Sequence, residues 1–272
     1  MIEAPPSTSS VFGPQPSFDG ASLMIAVRGL VKKIDGQEIL RGIDLDVAVG
    51  ETLALIGRSG GGKSVLLKHL IGLIQPNAGE IWIEGRNIIG LSERKLGAIR
   101  QKVGILFQGA ALFDSMTVAE NVAFPLRGAG ERSPKVLRER VREMLEVVEL
   151  EGQEGKMPES LSGGMKKRVG LARSIIRRPK CVLYDEPTSG LDPVVSDSIN
   201  RLIRRLQERF GITSVVVTHD MKSAFDVANR VAYLHEGRIY FYGTPAELQQ
   251  TSDPLLQDFL IGRSDERLRV EG

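Results

Sequence analysis

The chain has 272 residues, 42% of them hydrophobic, enough to bury one large core without a covalent staple. Its one cysteine, Cys181, excludes an internal disulfide, and 36 basic against 34 acidic side chains, a net charge of +2, exclude a strong positive footprint for nucleic acid. No apolar run approaches the about 18 to 20 residues needed to cross a bilayer, and residues 1–6 lack the order of a signal peptide, so a cytoplasmic protein is expected.

Residues 1–20, rich in Pro, Ser and Gly, read as a disordered leader because such a composition buries too little apolar surface to offset its ordering entropy. Short β-rich runs follow at 24–27, 43–49, 52–56 and 81–84, each bounded by Gly or Asp turn signals. The fully apolar run Leu53-Ala54-Leu55-Ile56 enters a glycine cluster and then a helical segment, 63–73, which is how a buried parallel strand enters an α/β core. Between about 92 and 160 the pattern turns helical: Leu137, Val141, Met144, Leu145 and Val148 share one helical face. We read this as a helical sub-domain inserted between sheet segments. Apolar strands at 181–184 and 214–218 are separated by a helix with the stripe Ile199, Leu202, Ile203, Leu206 and Phe210. Strands at 231–234 and 238–242 flank a turn, and a polar tail from 251 carries the apolar residues Leu255, Leu256, Phe259 and Leu260. Cys181, set in Val182-Leu183-Tyr184, reads as a core residue; His69 and His235 read as helix-face and turn residues.

Gly57-Arg58-Ser59-Gly60-Gly61-Gly62-Lys63-Ser64, followed by Val65, fits the Walker A pattern between an apolar strand and an amphipathic helix. Glycines let successive backbone N–H groups turn toward phosphate oxygens, and the helix N-terminus favours the same anion. Lys63 supplies a mobile positive charge, and the Ser64 hydroxyl is a ligand for Mg²⁺. Val182-Leu183-Tyr184-Asp185-Glu186 is a strand ending in two carboxylates: Asp185 suits a Mg²⁺ site and Glu186 the polarisation of an attacking water. A glycine turn with an incidental lysine, and an acidic turn before Pro187, are the plainer readings of each alone.

Leu161-Ser162-Gly163-Gly164-Met165 opens a helix and resembles the signature of ATP-binding cassette (ABC) proteins. Gln108 after the strand 103–107 resembles the family's Q-loop, Ser189-Gly190-Leu191-Asp192 its D-loop, and His219 its switch histidine. The resemblance covers residues 24 to about 245. It implies a P-loop ABC ATPase of α/β class, with an N-terminal antiparallel β subdomain and the helical subdomain within an ATPase domain of 23–250. ATP and Mg²⁺ are the implied ligands. The resemblance assigns Gln108 to Mg²⁺ and to sensing a partner, Glu186 to water activation and His219 to the γ-phosphate. Ser162, Gly163, Gly164 and Asp192 then join the nucleotide site across a homodimer. Where the family often stacks an aromatic ring on adenine, this chain has Ile34.

Residues 106–118 and 121–127, Met165 and the segment 253–260 resemble the ATPase of Mla-type phospholipid transporters. That likeness implies a homodimer on the inner face of the cytoplasmic membrane beneath integral-membrane permease subunits, with a periplasmic lipid-binding protein and a small anti-sigma-antagonist-like partner. Residues 110–116 suggest either a floor for a permease helix or burial within the sub-domain. An importer ATPase for another substrate and a non-transport ABC ATPase of DNA repair or the ribosome are the competing readings. The P-loop lysine and signature serine lie too close in the chain for a coiled-coil arm between them, and there is one cassette rather than two. A P-loop GTPase or kinase would need a guanine-reading segment or an acceptor lid, and neither is present.

Overall fold

A computed structural model describes residues 22–262; the expected leader and the end of the tail lie outside the described residues. Two sheets share one core. Strands β1 (Leu23–Ile34) and β2 (Gln37–Ala48) form an antiparallel hairpin, and β4 (Ala78–Ile83) and β5 (Arg86–Asn87) extend it to the order β2-β1-β4-β5. The hairpin is longer than the runs expected at 24–27 and 43–49. Register shifts around Val27, Leu30 and Lys32 carry the pairing through residues whose alternation breaks in the sequence.

The second sheet has the order β10-β9-β3-β8-β7-β6. Its parallel members are β6 (Val103–Leu106), β7 (Cys181–Asp185), β8 (Thr213–Val217), β3 (Thr52–Ile56) and β9 (Arg230–His235), with β10 (Arg238–Gly243) antiparallel at the edge. Every residue of β3, β7 and β8 is buried, which is why these strands read as unbroken apolar runs. Cys181 lies in this core, and burial pushes its thiol up to about 12, so it stays protonated and inert at neutral pH.

Helix α1 (Lys63–Leu70) follows β3 and packs on β4, β7 and β8. His69, read as a helix-face residue, lies on the face of α1 that turns into the core and is fully buried, with Nδ1 hydrogen-bonded to the Val65 carbonyl at 2.8 Å. The stretch 92–160 holds α2 (Glu93–Arg100), the core strand β6, α3 (Val118–Gly128) and α4 (Pro134–Val147). The α4 stripe Leu137, Val141, Met144 and Leu145 is buried as its spacing predicts. It joins the cluster of α5 (Gly163–Ile175) and α6 (Pro193–Phe210). On α6, Asp192 caps Val194 and Val195, Pro193 takes the first turn and Gly211 closes the helix in the left-handed region. Each Leu or Ile of its stripe contributes about 1.5 to 3 kcal/mol by leaving water. Helices α7 (Met221–Val227), α8 (Pro245–Gln249) and α9 (Pro254–Leu260) cover the β9 end of the sheet, where Phe259 meets Tyr233 at 4.5 Å between ring centroids.

Candidate nucleotide site

The parallel strands are aligned so that Leu55 of β3 pairs with Val217 of β8, Val217 with Asp185 of β7, and Tyr184 of β7 with Leu106 of β6. Four loops therefore leave one edge of the sheet side by side: Gly57 after β3, Gln108 after β6, Glu186 after β7 and His219 after β8. In an open α/β sheet this carboxyl edge is where ligands bind.

Gly57 has a φ of 153° and Gly62 one of 97°. A Cβ on Gly57 would run into the Leu234 carbonyl, and one on Gly62 would crowd Ile39 and Leu40 at 3.1 Å. The loop is thus pressed between β9 and the start of β2. Lys63 is buried, with Nζ donating to the carbonyls of Gly57 at 2.7 Å and Arg58 at 2.9 Å. Burial lowers its pKa, and the nearby Glu186 and Asp185 partly oppose that shift. Arg58, Ser59 and Gly60 are exposed at the mouth of the loop, Gly61 closes its turn on the Arg58 carbonyl, and Val65 packs against the core behind it.

Ser64 Oγ donates to Asp185 Oδ1 at 2.9 Å, which joins two hard oxygen ligands from residues far apart in the chain. Among the described residues there is no group of three His, Cys, Asp or Glu able to cage a metal. One hydroxyl and one carboxylate fit Mg²⁺, which keeps waters and phosphate oxygens in its shell, better than a dedicated protein cage.

Glu186 is buried and has a φ of 50°, in the left-handed region that costs a non-glycine residue about 1 to 2 kcal/mol. Its N–H donates to the Val217 carbonyl at 2.9 Å, and both carboxylate oxygens lie 2.9 Å from His219 Nδ1. The sequence marks both residues but not their pairing. Gln108 is exposed, with Nε2 donating to Ser189 Oγ at 3.4 Å. A buried ammonium that sequence reasoning missed, Lys167 on α5, donates to the backbone carbonyls of Gln108 and Glu186. A lysine in a mixed helix carries no signal of such contacts.

Ser162 caps α5 by accepting from the Met165 N–H at 3.3 Å. Gly163 lies against Leu191, and a Cβ on Gly164 would strike Val195. The neighbours of α5 are α3, α4, α6 and β6, whereas those of α1 are β4, β7 and β8. Gly163 against Leu191 and Gly164 against Val195 place the Ser162 turn beside the Asp192 cap at the start of α6.

The family model described as ABC transporter matches residues 40–189, from β2 through the Lys63 loop, the Ser162 turn and Asp185-Glu186. The chain belongs to the ABC transporter family. This ATP-binding subunit is 42% identical over 240 residues to a probable ribonucleotide transport ATP-binding protein, mkl, of Mycobacterium leprae, covering 88% of this chain and 69% of the relative. It is also 42% identical over 250 residues to the methionine import ATP-binding protein MetN of Symbiobacterium thermophilum, covering 90% and 71% of the two chains. Among solved structures, the dimeric post-hydrolysis state of the ATP-binding cassette MJ0796 bound to ADP and Pi is similar at a TM-score of 0.76 and 33% identity, over 82% of this chain and 99% of that one. The ABC subunit described here is an ATPase that uses ATP with Mg²⁺. ATP-binding subunits of the family dimerise and pair with membrane permease subunits.

Proposed function

We propose that this ATPase powers phospholipid transport of the Mla type through a permease, working as a homodimer on the inner face of the cytoplasmic membrane. The observation that carries the reading is the surface beside Gln108. Phe113 and Phe124 are 40% and 42% exposed and lie 4.6 Å apart between ring centroids, with the Arg173 guanidinium 5.8 Å from the Phe113 ring. These residues line a groove with Phe107 and Pro125, and all of them but Arg173 fall within the segments that resemble Mla-type ATPases. An apolar platform rimmed by arginine suits a permease helix, and Gln108 at its edge would report docking to the nucleotide site. A periplasmic lipid-binding protein and a small anti-sigma-antagonist-like subunit complete the proposed assembly.

In this reading the Gly57–Val65 loop and Lys63 bind the phosphates of ATP, and Glu186 takes a proton from the attacking water. His219 orients Glu186 and contacts the γ-phosphate. Ser64, Asp185 and Gln108 would hold Mg²⁺, which when bound neutralises phosphate charge. The Ser162-Gly163-Gly164 turn and Asp192 of the second copy complete the site, because a capped helix start with two glycines admits an anion closely.

Affinity purification from detergent-extracted membranes, followed by reconstitution in vesicles, tests the function. A polytopic permease should co-purify, and labelled phospholipid should move only with ATP. ATP-driven uptake of methionine without lipid transfer would instead favour an importer, a reading supported by the similarity to an import subunit. Stable association with ribosomes or DNA would reject transport altogether.

Ile34, 39% exposed at the tip of the β1–β2 hairpin, offers no ring for stacking. Losing a stacking platform forfeits about 1 to 3 kcal/mol, so GTP should support turnover within about tenfold of ATP. Strict ATP selectivity in side-by-side hydrolysis assays would contradict this.

A further inference from the structure

Helix α5 reaches the nucleotide edge of the sheet with a charge that packing alone does not require. Lys167 is buried, and its Nζ donates to the carbonyl of Glu186 at 3.1 Å and to that of Gln108. A methionine would fill the same space without desolvating an ammonium. Both acceptors belong to backbone that needs holding. Glu186 sits at a φ of 50°, and Gln108 is followed, one glycine later, by Ala110 and Ala111 at φ values of 59° and 48°. Conformations of this kind persist when surrounding contacts over-determine them. The Glu186 N–H is fixed by Val217 from β8, and its carbonyl is fixed by Lys167 from α5. On the far side of Gln108, Arg173, also on α5, donates to the carbonyls of Ala110 at 2.6 Å and Ala111 at 2.8 Å. The helix that begins at the Ser162 turn therefore grips the loop after β6 at two points and the carboxylate-bearing loop after β7 at one.

We propose that Lys167 is a positioning residue for hydrolysis: from the helix carrying the Ser162 turn, it sets the backbone of Glu186, and hence the direction of its carboxylate, together with that of Gln108. Burial lowers the pKa of Lys167, and the carboxylates of Glu186 and Asp185 partly oppose that shift. The inference rests on the reading of Glu186 as the water-activating carboxylate.

The test compares full-length Lys167→Met, Lys167→Gln, Glu186→Gln and the double variant Lys167→Met/Glu186→Gln by steady-state and single-turnover ATP hydrolysis. A misplacement near 1 Å costs up to about 100-fold, so Lys167→Met should lower kcat by about 10- to 100-fold while KM for ATP stays within about twofold. Lys167→Gln, which keeps N–H donors, should recover to within about threefold of wild type. In the Glu186→Gln background, Lys167→Met should cost less than about twofold more, because both changes act on one group. A wild-type kcat for Lys167→Met, or a loss equally large in both backgrounds, overturns the proposal. Lys167→Ala serves if the methionine variant does not fold, and failure of both to fold would assign the residue to stability alone and also overturn it. Unimpaired hydrolysis by Glu186→Gln would sink the assignment of Glu186 itself. A dead Glu186→Gln beside a fully active Lys167→Met sinks only the role of Lys167.

Discussion

Glu186→Gln should abolish most hydrolysis while leaving ATP binding intact. The substitution keeps the volume and hydrogen-bonding outline of a buried side chain, so the strand end, the Val217 bond to its N–H and the Ser64–Asp185 contact are undisturbed. What is lost is the negative charge that in the proposed mechanism accepts a proton and that faces His219 Nδ1 at 2.9 Å. A positioned general base contributes about 10²- to 10⁴-fold, so turnover should fall by at least about 10²-fold. With binding retained and hydrolysis blocked, the ATP-bound protein should accumulate as a dimer on size-exclusion chromatography. Hydrolysis at the wild-type rate would remove Glu186 from its proposed role.

Lys63→Met should weaken nucleotide binding itself. Lys63 is buried beneath the loop, and its ammonium is held by the Gly57 and Arg58 carbonyls, directly behind the backbone that would face the phosphates. Burial lowers its pKa and the neighbouring carboxylates partly oppose this, so the partly desolvated charge gains strongly from an anion. Methionine matches the stem in length and removes the charge and its donors. A charge-assisted hydrogen bond contributes about 1.5 to 3 kcal/mol, so the ATP dissociation constant should rise by about 10- to 100-fold in calorimetric titration. Unchanged affinity would show that the loop binds phosphate through its backbone alone. The two substitutions separate the steps: Glu186→Gln leaves a protein that binds and stalls, and Lys63→Met leaves one that binds poorly.

The parts of the site legible in the sequence are those whose chemistry is contiguous. The Gly57–Ser64 loop announces itself because strand, glycine turn and helix follow one another, and Asp185-Glu186 does so because a wholly apolar strand ends in two carboxylates. The β1–β2 hairpin was only partly legible, since register shifts interrupt the alternation on which a strand reading depends. His69 was legible as a helix-face residue but not as a core one: its bond to the Val65 carbonyl lets a polar ring enter the core, and no local pattern tells which face of a short helix is covered.

By itself, the order of residues determined the α/β class, the Gly57–Ser64 loop between strand and helix, the two carboxylates at the end of β7, and membership of the ABC family through its spaced signature elements. The tertiary structure decided which of those groups meet: Ser64 with Asp185, Glu186 with His219, and Lys167 with the loops after β6 and β7. The physical reason is the parallel sheet. Strands far apart in the chain are aligned residue by residue through main-chain hydrogen bonds, so their ends emerge at one edge whatever lies between them in sequence. A helix crossing that edge then finds backbone carbonyls that no local pattern foretells.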